Sequence, residues 1–107
     1  MLKEDVYNAV KLIPKGKVTT YGDLAAYLGN PKLARAIGNI LHVNPYEGIV
    51  PCHRVVNAQG RLAQNFGFGG IEGQQQRLEA EGISVINGKV DLEKYRFRFT
   101  GPVFQSH

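Results

Sequence analysis

The sequence predicts a single, mainly α-helical domain with small β-hairpins and a helix-turn-helix candidate near its middle. Three observations carry that prediction. Apolar residues recur at helical spacing over 2–13 and 31–42. Two of the short helices abut across a tight Gly29-Asn30-Pro31 turn. Asn87-Gly88, set between two apolar runs, is the strongest hairpin signal in the chain.

Taken in order, residues 2–13 form an amphipathic helix, with Leu2, Val6, Ala9, Val10 and Ile13 on one face and Lys3, Glu4, Asn8 and Lys11 opposite. Pro14 and Gly16 end it. Thr20 caps a second helix over Tyr21–Leu28, with Asp23 completing an approximate capping box. Gly29 closes that helix and Asn30-Pro31 starts a third, as N-cap and first-turn proline, running to His42. Its buried stripe is Leu33, Ile37, Ile40 and Leu41, and its polar stripe is Lys32, Arg35, Asn39 and His42. Between the stripes lie Ala34 and Gly38, small enough to let a partner's backbone approach closely. Val55-Val56 and Arg61-Leu62 predict a small hairpin around Asn57–Gly60. A glycine-rich loop over 64–70 carries Phe66 and Phe68; lacking a following Gly-Lys-Ser/Thr, it is a bend beside a pocket rather than a phosphate loop. A helix over Ile71–Glu81 and a hairpin pairing 83–86 with 89–92 follow. Tyr95-Arg96-Phe97-Arg98-Phe99 alternates aromatic and basic residues, so one face packs and the other stays wet; residues 100–107 form a flexible tail.

At 107 residues the chain supports one core without staples, and its one cysteine excludes an intramolecular disulfide. Three histidines at 42, 53 and 107 form no metal-ligand pattern, and no apolar run approaches a membrane span. A soluble, cytoplasmic protein without metal or membrane partner is expected. Residues 11–61 hold Lys11, Lys15, Lys17, Lys32, Arg35, Arg54 and Arg61 against Asp23 and Glu47, whereas residues 62–107 are neutral. A basic middle points to a polyanion on that side.

The chemistry concentrates in Ile49-Val50-Pro51-Cys52-His53-Arg54-Val55-Val56. Apolar, β-branched flanks bury this stretch, and Pro51 stiffens it, so a thiol is presented beside an imidazole. The thiolate is the reactive form, and a neighbouring imidazole or cation lowers a thiol's pKa. Neighbours in an ideal strand point apart, so His53 acts on Cys52 only through a local twist or a water. A carboxylate orienting the far ring nitrogen completes such a relay, with Glu81, Glu79 and Glu72 as candidates.

These residues resemble the O6-alkylguanine-DNA alkyltransferases, the methylated-DNA–protein-cysteine methyltransferases. Pro51-Cys52-His53-Arg54-Val55 matches their active-site signature. Gly16-Lys17-Val18-Thr19-Thr20-Tyr21-Gly22, Ala34-Arg35-Ala36-Ile37-Gly38, Asn44-Pro45 and Leu78-Glu79-Ala80-Glu81-Gly82 match further segments in family order. The resemblance covers roughly residues 2–92, the DNA-binding and active-site domain that follows another domain in many members. It implies a winged helix-turn-helix that enters the minor groove of double-stranded DNA containing O6-alkylguanine, acts as a monomer and needs no cofactor. Arg35 is then the finger that fills the place of a flipped nucleotide, and Thr20, Lys32, Ala34, Gly38, Asn39 and Arg54 complete the DNA-facing set. Cys52 attacks the alkyl carbon, His53 serves as base through water, Glu81 orients it, and Asn44 braces the turn. Tyr21 crowds the neighbouring phosphate and donates to the guanine, whose edge rests on backbone groups at Cys52 and Val55. Phe68 and Gly69 lie at the pocket loop, where the family usually has Tyr-Ser/Ala-Gly-Gly and this chain has Gly67-Phe68-Gly69-Gly70; Phe68 either stacks on guanine or narrows the pocket. The thioether product is stable, so each molecule reacts once. The alternative is an alkyltransferase-like protein that binds the lesion and flags it for repair-pathway proteins. Such proteins typically carry tryptophan where Cys52 stands, so the cysteine favours catalysis over that reading and over a winged-helix transcription factor.

Overall fold

A computed structural model describes residues 2–46, 48–64 and 66–100. It is a mainly helical domain with a few two-residue strands. The first helix, α1 (Leu2–Val10), buries Val6, Tyr7, Ala9 and Val10. It stops short of the expected Ile13: the amides of Leu12 and Ile13 donate three residues back, to Ala9 and Val10. This tightened last turn is the response to Pro14, which disfavours helical geometry at the residue before it. Strand β1 (Thr19–Thr20) leads into α2 (Tyr21–Tyr27), where Thr20 Oγ1 accepts the Asp23 amide at 3.0 Å as the N-cap.

The expected third helix is divided. Asn30 Oδ1 accepts the Lys32 amide and starts a 3-10 turn over Pro31–Leu33, and α3 (Ala34–His42) continues from it. Ile37 and Leu41 are buried, while Lys32, Arg35, Asn39 and His42 share the exposed face, as the helical period predicts. Helices α2 and α3 pack directly on each other and on α1, giving the helix-turn-helix.

The expected hairpin of Val55-Val56 with Arg61-Leu62 does not form as a ladder. Strand β2 (Val55–Val56) pairs in parallel with β1, Thr19 opposite Val55 and Thr20 opposite Val56. The chain does turn back, since the Asn57 amide donates to the Arg61 carbonyl, but Arg61 then bridges to Lys89. Both valines are fully buried, which an edge hairpin with one wet face cannot provide. The Asn87-Gly88 hairpin forms as expected, as β3 (Val85–Ile86) and β4 (Lys89–Val90), with φ of 53° and 73° at the two turn residues. Positive φ at both central positions is the type I′ requirement that Asn-Gly meets. It is the wing.

Between these strands and β2 lies α4 (Gly70–Ala80), and a short α5 (Leu92–Tyr95), absent from the sequence prediction, follows the wing. The next residues strap the helix-turn-helix. Phe99 stacks on Tyr27 with centroids 4.3 Å apart, and Arg96 donates twice to the Asp23 carboxylate at 2.8 Å. The aromatic face packs and Arg98 stays exposed, as the alternation predicts, but Arg96 turns inward. The expected tail lies, beyond Thr100, outside the described residues.

Two apolar clusters result. One gathers α1, α2 and α3 around Val55 and includes Cys52 and Phe66; the other joins Val56 to Val18, Leu62, Leu78, Ile83 and the wing. Adjacent valines of one short strand face different clusters, so the segment carrying Cys52 is the joint of the domain.

Candidate active site

Cys52–Arg54 is a single 3-10 turn rather than extended chain. Its rotation per residue separates the three side chains by roughly a third of a turn each. Cys52 points into the first cluster and is buried, while His53 and Arg54 swing toward the C-terminal end of α4. There His53 Nε2 lies 3.0 Å from Glu81 Oε2, and Arg54 donates through Nε to Oε1 at 2.9 Å and through Nη2 to Oε2 at 2.6 Å. Of the three carboxylates open by pattern, Glu81 is the one in contact. Arg54 Nη1 also donates to the Ile13 carbonyl at 2.7 Å. This guanidinium is therefore committed to the interior, which corrects its assignment to the DNA-facing set: a basic residue in a basic stretch reads as surface, yet this one neutralises a half-buried carboxylate.

The charges follow. Burial would raise the Glu81 carboxyl, but the hydrogen bonds from Arg54 and His53 outweigh it and hold the group below its ordinary value. Burial also lowers His53, against the pull of Glu81, so its imidazole is neutral near pH 7. An ionised carboxylate only accepts, so Nε2 carries the ring proton and donates to Glu81, leaving Nδ1 as the basic nitrogen. For Cys52 the expected lowering is not met: burial pushes the thiol up, only partly opposed by a hydrogen bond from Asn44. The Arg54 guanidinium that might have lowered it faces Glu81 instead.

Asn44, buried, donates through Nδ2 to the Val50 carbonyl at 3.1 Å and accepts the Tyr46 amide at 2.9 Å, which fixes the loop before the turn. Gln74, fully buried on α4, was not singled out by sequence reasoning. Its Nε2 donates to the carbonyls of His53 and Val55, at 3.0 and 2.9 Å, and its Oε1 accepts the Ala63 amide at 2.7 Å. A glutamine inside a polar-reading helix gives no signal of burial. Val55's side chain is in the core, so only its carbonyl can serve a ligand, with one lone pair already used by Gln74.

Tyr21 opens α2, half-buried, and its phenol is raised by burial and by the nearby Cys52. Tyr21, Gly38, Leu41, Cys52, Phe66 and Gly67 enclose a cavity of about 10 Å³. Gly67 could carry no side chain as placed, because a Cβ there would lie 2.6 Å from the His42 carbonyl oxygen. On the other side of Cys52, Phe68 lines a larger cavity with His53 and Glu81. Gly69, exposed and with φ of 108°, caps α4 and lines neither cavity. Arg35 and Asn39 project from α3 on the exposed face, Lys32 is exposed on the 3-10 turn before it, and Ala34 and Gly38 are half-buried beside them; Thr20 is buried and its hydroxyl is occupied as the helix cap.

The ionisation pattern predicts acid sensitivity. With the folded His53 below its ordinary 6.5, the unfolded chain takes up that proton first, so stability is full above about 6.5 and falls as pH drops through that value. Glu81, below its ordinary 4.5, adds a second loss under that pH. Urea midpoints should be level above pH 7 and decline in two steps, the first below pH 6.5 and the second below pH 4.5; a level profile through both would contradict this arrangement.

Comparison with known proteins agrees with the geometry. Residues 1–83 match the family model described as 6-O-methylguanine DNA methyltransferase, DNA binding domain. A bifunctional methyltransferase/endonuclease of Picrophilus torridus is 43% identical over 93 residues, 86% of this chain but 30% of that protein. A DNA base-flipping protein of Escherichia coli is 40% identical over 105 residues, covering 92% of this chain and 80% of the relative. The chain thus spans under a third of the first of these relatives and most of the second. In structure, Schizosaccharomyces pombe Atl1, solved in complex with damaged DNA containing O6-carboxymethylguanine, superposes with a TM-score of 0.81 at 37% identity, over 90% of this chain and 94% of that one. Matched over residues 1–83, the chain belongs to the 6-O-methylguanine DNA methyltransferase family, through that family's DNA-binding domain.

Proposed function

We propose that this protein repairs O6-alkylguanine in duplex DNA by a single transfer of the alkyl group to Cys52. The observation that supports this most is the relay behind the thiol: a neutral His53 whose Nε2 is held on an ionised Glu81 at 3.0 Å, beside a buried cysteine. A carbon stacked inside a duplex is out of reach, so the nucleotide must be flipped. Arg35, exposed on α3, then fills the gap. Sulfur then attacks the alkyl carbon: the S–C bond forms, the C–O6 bond breaks, and its electron pair stays with the guanine. The thiol proton passes through a water to His53, and Tyr21, a neutral phenol, supplies the proton that makes guanine a good leaving group. Tyr21 is restored from His53 or solvent, and the thioether ends the reaction.

The second reading, a lesion-binding module that flips alkylguanine without repairing it, is favoured by coverage: relatives named as base-flipping or alkyltransferase-like proteins match over 80% and 91% of their own length. Intact-protein mass spectrometry after incubation with an O6-methylguanine duplex separates the two. Transfer predicts one added methylene mass per protein, mapped to Cys52. An unmodified protein that binds the lesion duplex more tightly than plain DNA would establish the second reading instead.

Arg35→Ala tests the feature both readings share. Losing a side chain that occupies the flipped nucleotide's place should weaken lesion-duplex binding by roughly tenfold or more, about 1–3 kcal/mol, with no change in thermal stability because the residue is exposed. Fluorescence anisotropy on a labelled lesion duplex reads it; unchanged affinity would remove Arg35 from the interface.

A further inference from the structure

The cavity toward the helix-turn-helix, about 10 Å³, holds at most one water and no base. The cavity on the α4 side is about 390 Å³ and is lined by Val50, His53, Phe68, Arg77 and Glu81 among others. Two side chains line both: Cys52 and Phe66. Phe66 is 8% exposed and belongs to the core cluster, so its ring is a wall between the two spaces. The wall is latched. The Arg77 guanidinium sits 5.5 Å from the ring centroids of both Phe66 and Phe68, which meet edge to face at 5.7 Å. Arg77 Nη1 also donates to the carbonyls of Phe68 and Gly73 at 3.0 Å, and Gly73 lies so close under Phe68 that a Cβ there would meet its carbonyl oxygen at 2.1 Å.

We propose that Phe66 is the residue that sets the size of O6 substituent this protein accepts, by closing the larger cavity off from the base site. The inference rests on the lesion-binding reading above, in either of its forms. A flipped guanine needs the loop at Gly67 to draw back from α3. Its O6 substituent then points at Cys52, where the two cavities meet. A methyl group needs no more room than that. A benzyl group must enter the 390 Å³ space, and only by displacing Phe66 from its contacts with Arg77 and Phe68. Once inside, an aryl substituent has the ring of Phe68 to stack on.

The test uses the full chain carrying Cys52→Ala, so that transfer does not consume the complex, with duplexes containing O6-methylguanine, O6-benzylguanine or guanine. Adding Phe66→Ala should shift the benzyl-to-methyl affinity ratio toward benzyl by about tenfold, the scale of a lost aromatic and cation–π contact set. Arg77→Gln should shift it the same way by less. Should Phe66→Ala fail to fold, Phe66→Leu, which keeps core volume but not the ring, carries the same criterion. An unchanged ratio, with both lesions still preferred over guanine, would overturn the partition and leave the lesion reading standing. No preference for either lesion over guanine in any of the proteins would overturn both.

Discussion

Cys52→Ala is expected to abolish alkyl transfer outright while leaving affinity for an O6-methylguanine duplex within a few-fold of the unmodified protein. The first half follows from chemistry: among the described residues Cys52 is the one thiol, and the serine, tyrosine and histidine side chains of the chain are far weaker nucleophiles toward a saturated carbon at neutral pH. The second half follows from packing. The side chain lost is small, the site is already walled by Phe66, Leu41 and Val50, and a buried thiol contributes as a small hydrophobe, so the expected stability cost is about 1 kcal/mol. In both proposed readings binding runs through α3 and the base pocket, which the substitution leaves in place. Mass spectrometry and anisotropy on the same preparation check both halves. Loss of binding together with transfer would mean that the thiol itself holds the lesion, and persistence of a modified protein would place the acceptor elsewhere.

That experiment matters because the thiol's burial cuts against easy activation. With its pKa raised, Cys52 is protonated at neutral pH and reacts only as its proton is taken. In the proposed transfer His53, neutral and within the same turn, takes that proton, and its own depressed pKa puts the acid limb of the expected transfer-rate profile below 6.5.

How far this site can be read without a structure depends on which residues act locally. The helix-turn-helix was legible because its signals are local: Thr20 and Asn30 as caps, Pro31 at a helix start, the stripe Lys32, Arg35, Asn39 and His42 at one period. The wing was legible because Asn-Gly dictates its own turn. What stayed hidden is non-local. Nothing in two threonines announces a strand, and β1 exists only because Val55-Val56, 36 residues on, needs a buried partner. Arg54 was misplaced for the same reason: whether a guanidinium faces DNA or a carboxylate 27 residues away is decided by the fold. Gln74 and Arg77 hold the thiol turn and the Phe66–Phe68 loop from a helix whose residues read as polar and exposed. Cys52 and His53 stand out in their own segment, whereas the choice of Glu81 came from a family resemblance. Spacing alone left three carboxylates open.

Glu81→Gln should show what that carboxylate does, because it removes a charge and almost no volume. Three donors now converge on it: His53 Nε2, Arg54 Nε and Arg54 Nη2. The side chains of Arg54 and Glu81 are 16% and 12% exposed, so the guanidinium left behind would be a poorly solvated charge without its counter-ion, and the new amide nitrogen would face donors. Breaking such a pair costs about 3 kcal/mol, the low end of the range for buried pairs. The expected result is a lower urea midpoint at pH 7.5, and with it a transfer rate reduced by about two orders of magnitude, the low end of what a positioned base contributes. The rate falls because His53 loses both the acceptor that fixes its tautomer and the negative charge that supports its protonated form. A second protein distinguishes the two effects. Arg54→Met combined with Glu81→Leu removes both charges in favour of apolar groups of similar size, a replacement that is often neutral in stability. It should recover most of the lost midpoint and none of the lost rate. Were the rate to recover with stability, Glu81 would be a structural counter-ion to Arg54 alone, and His53 would work without it.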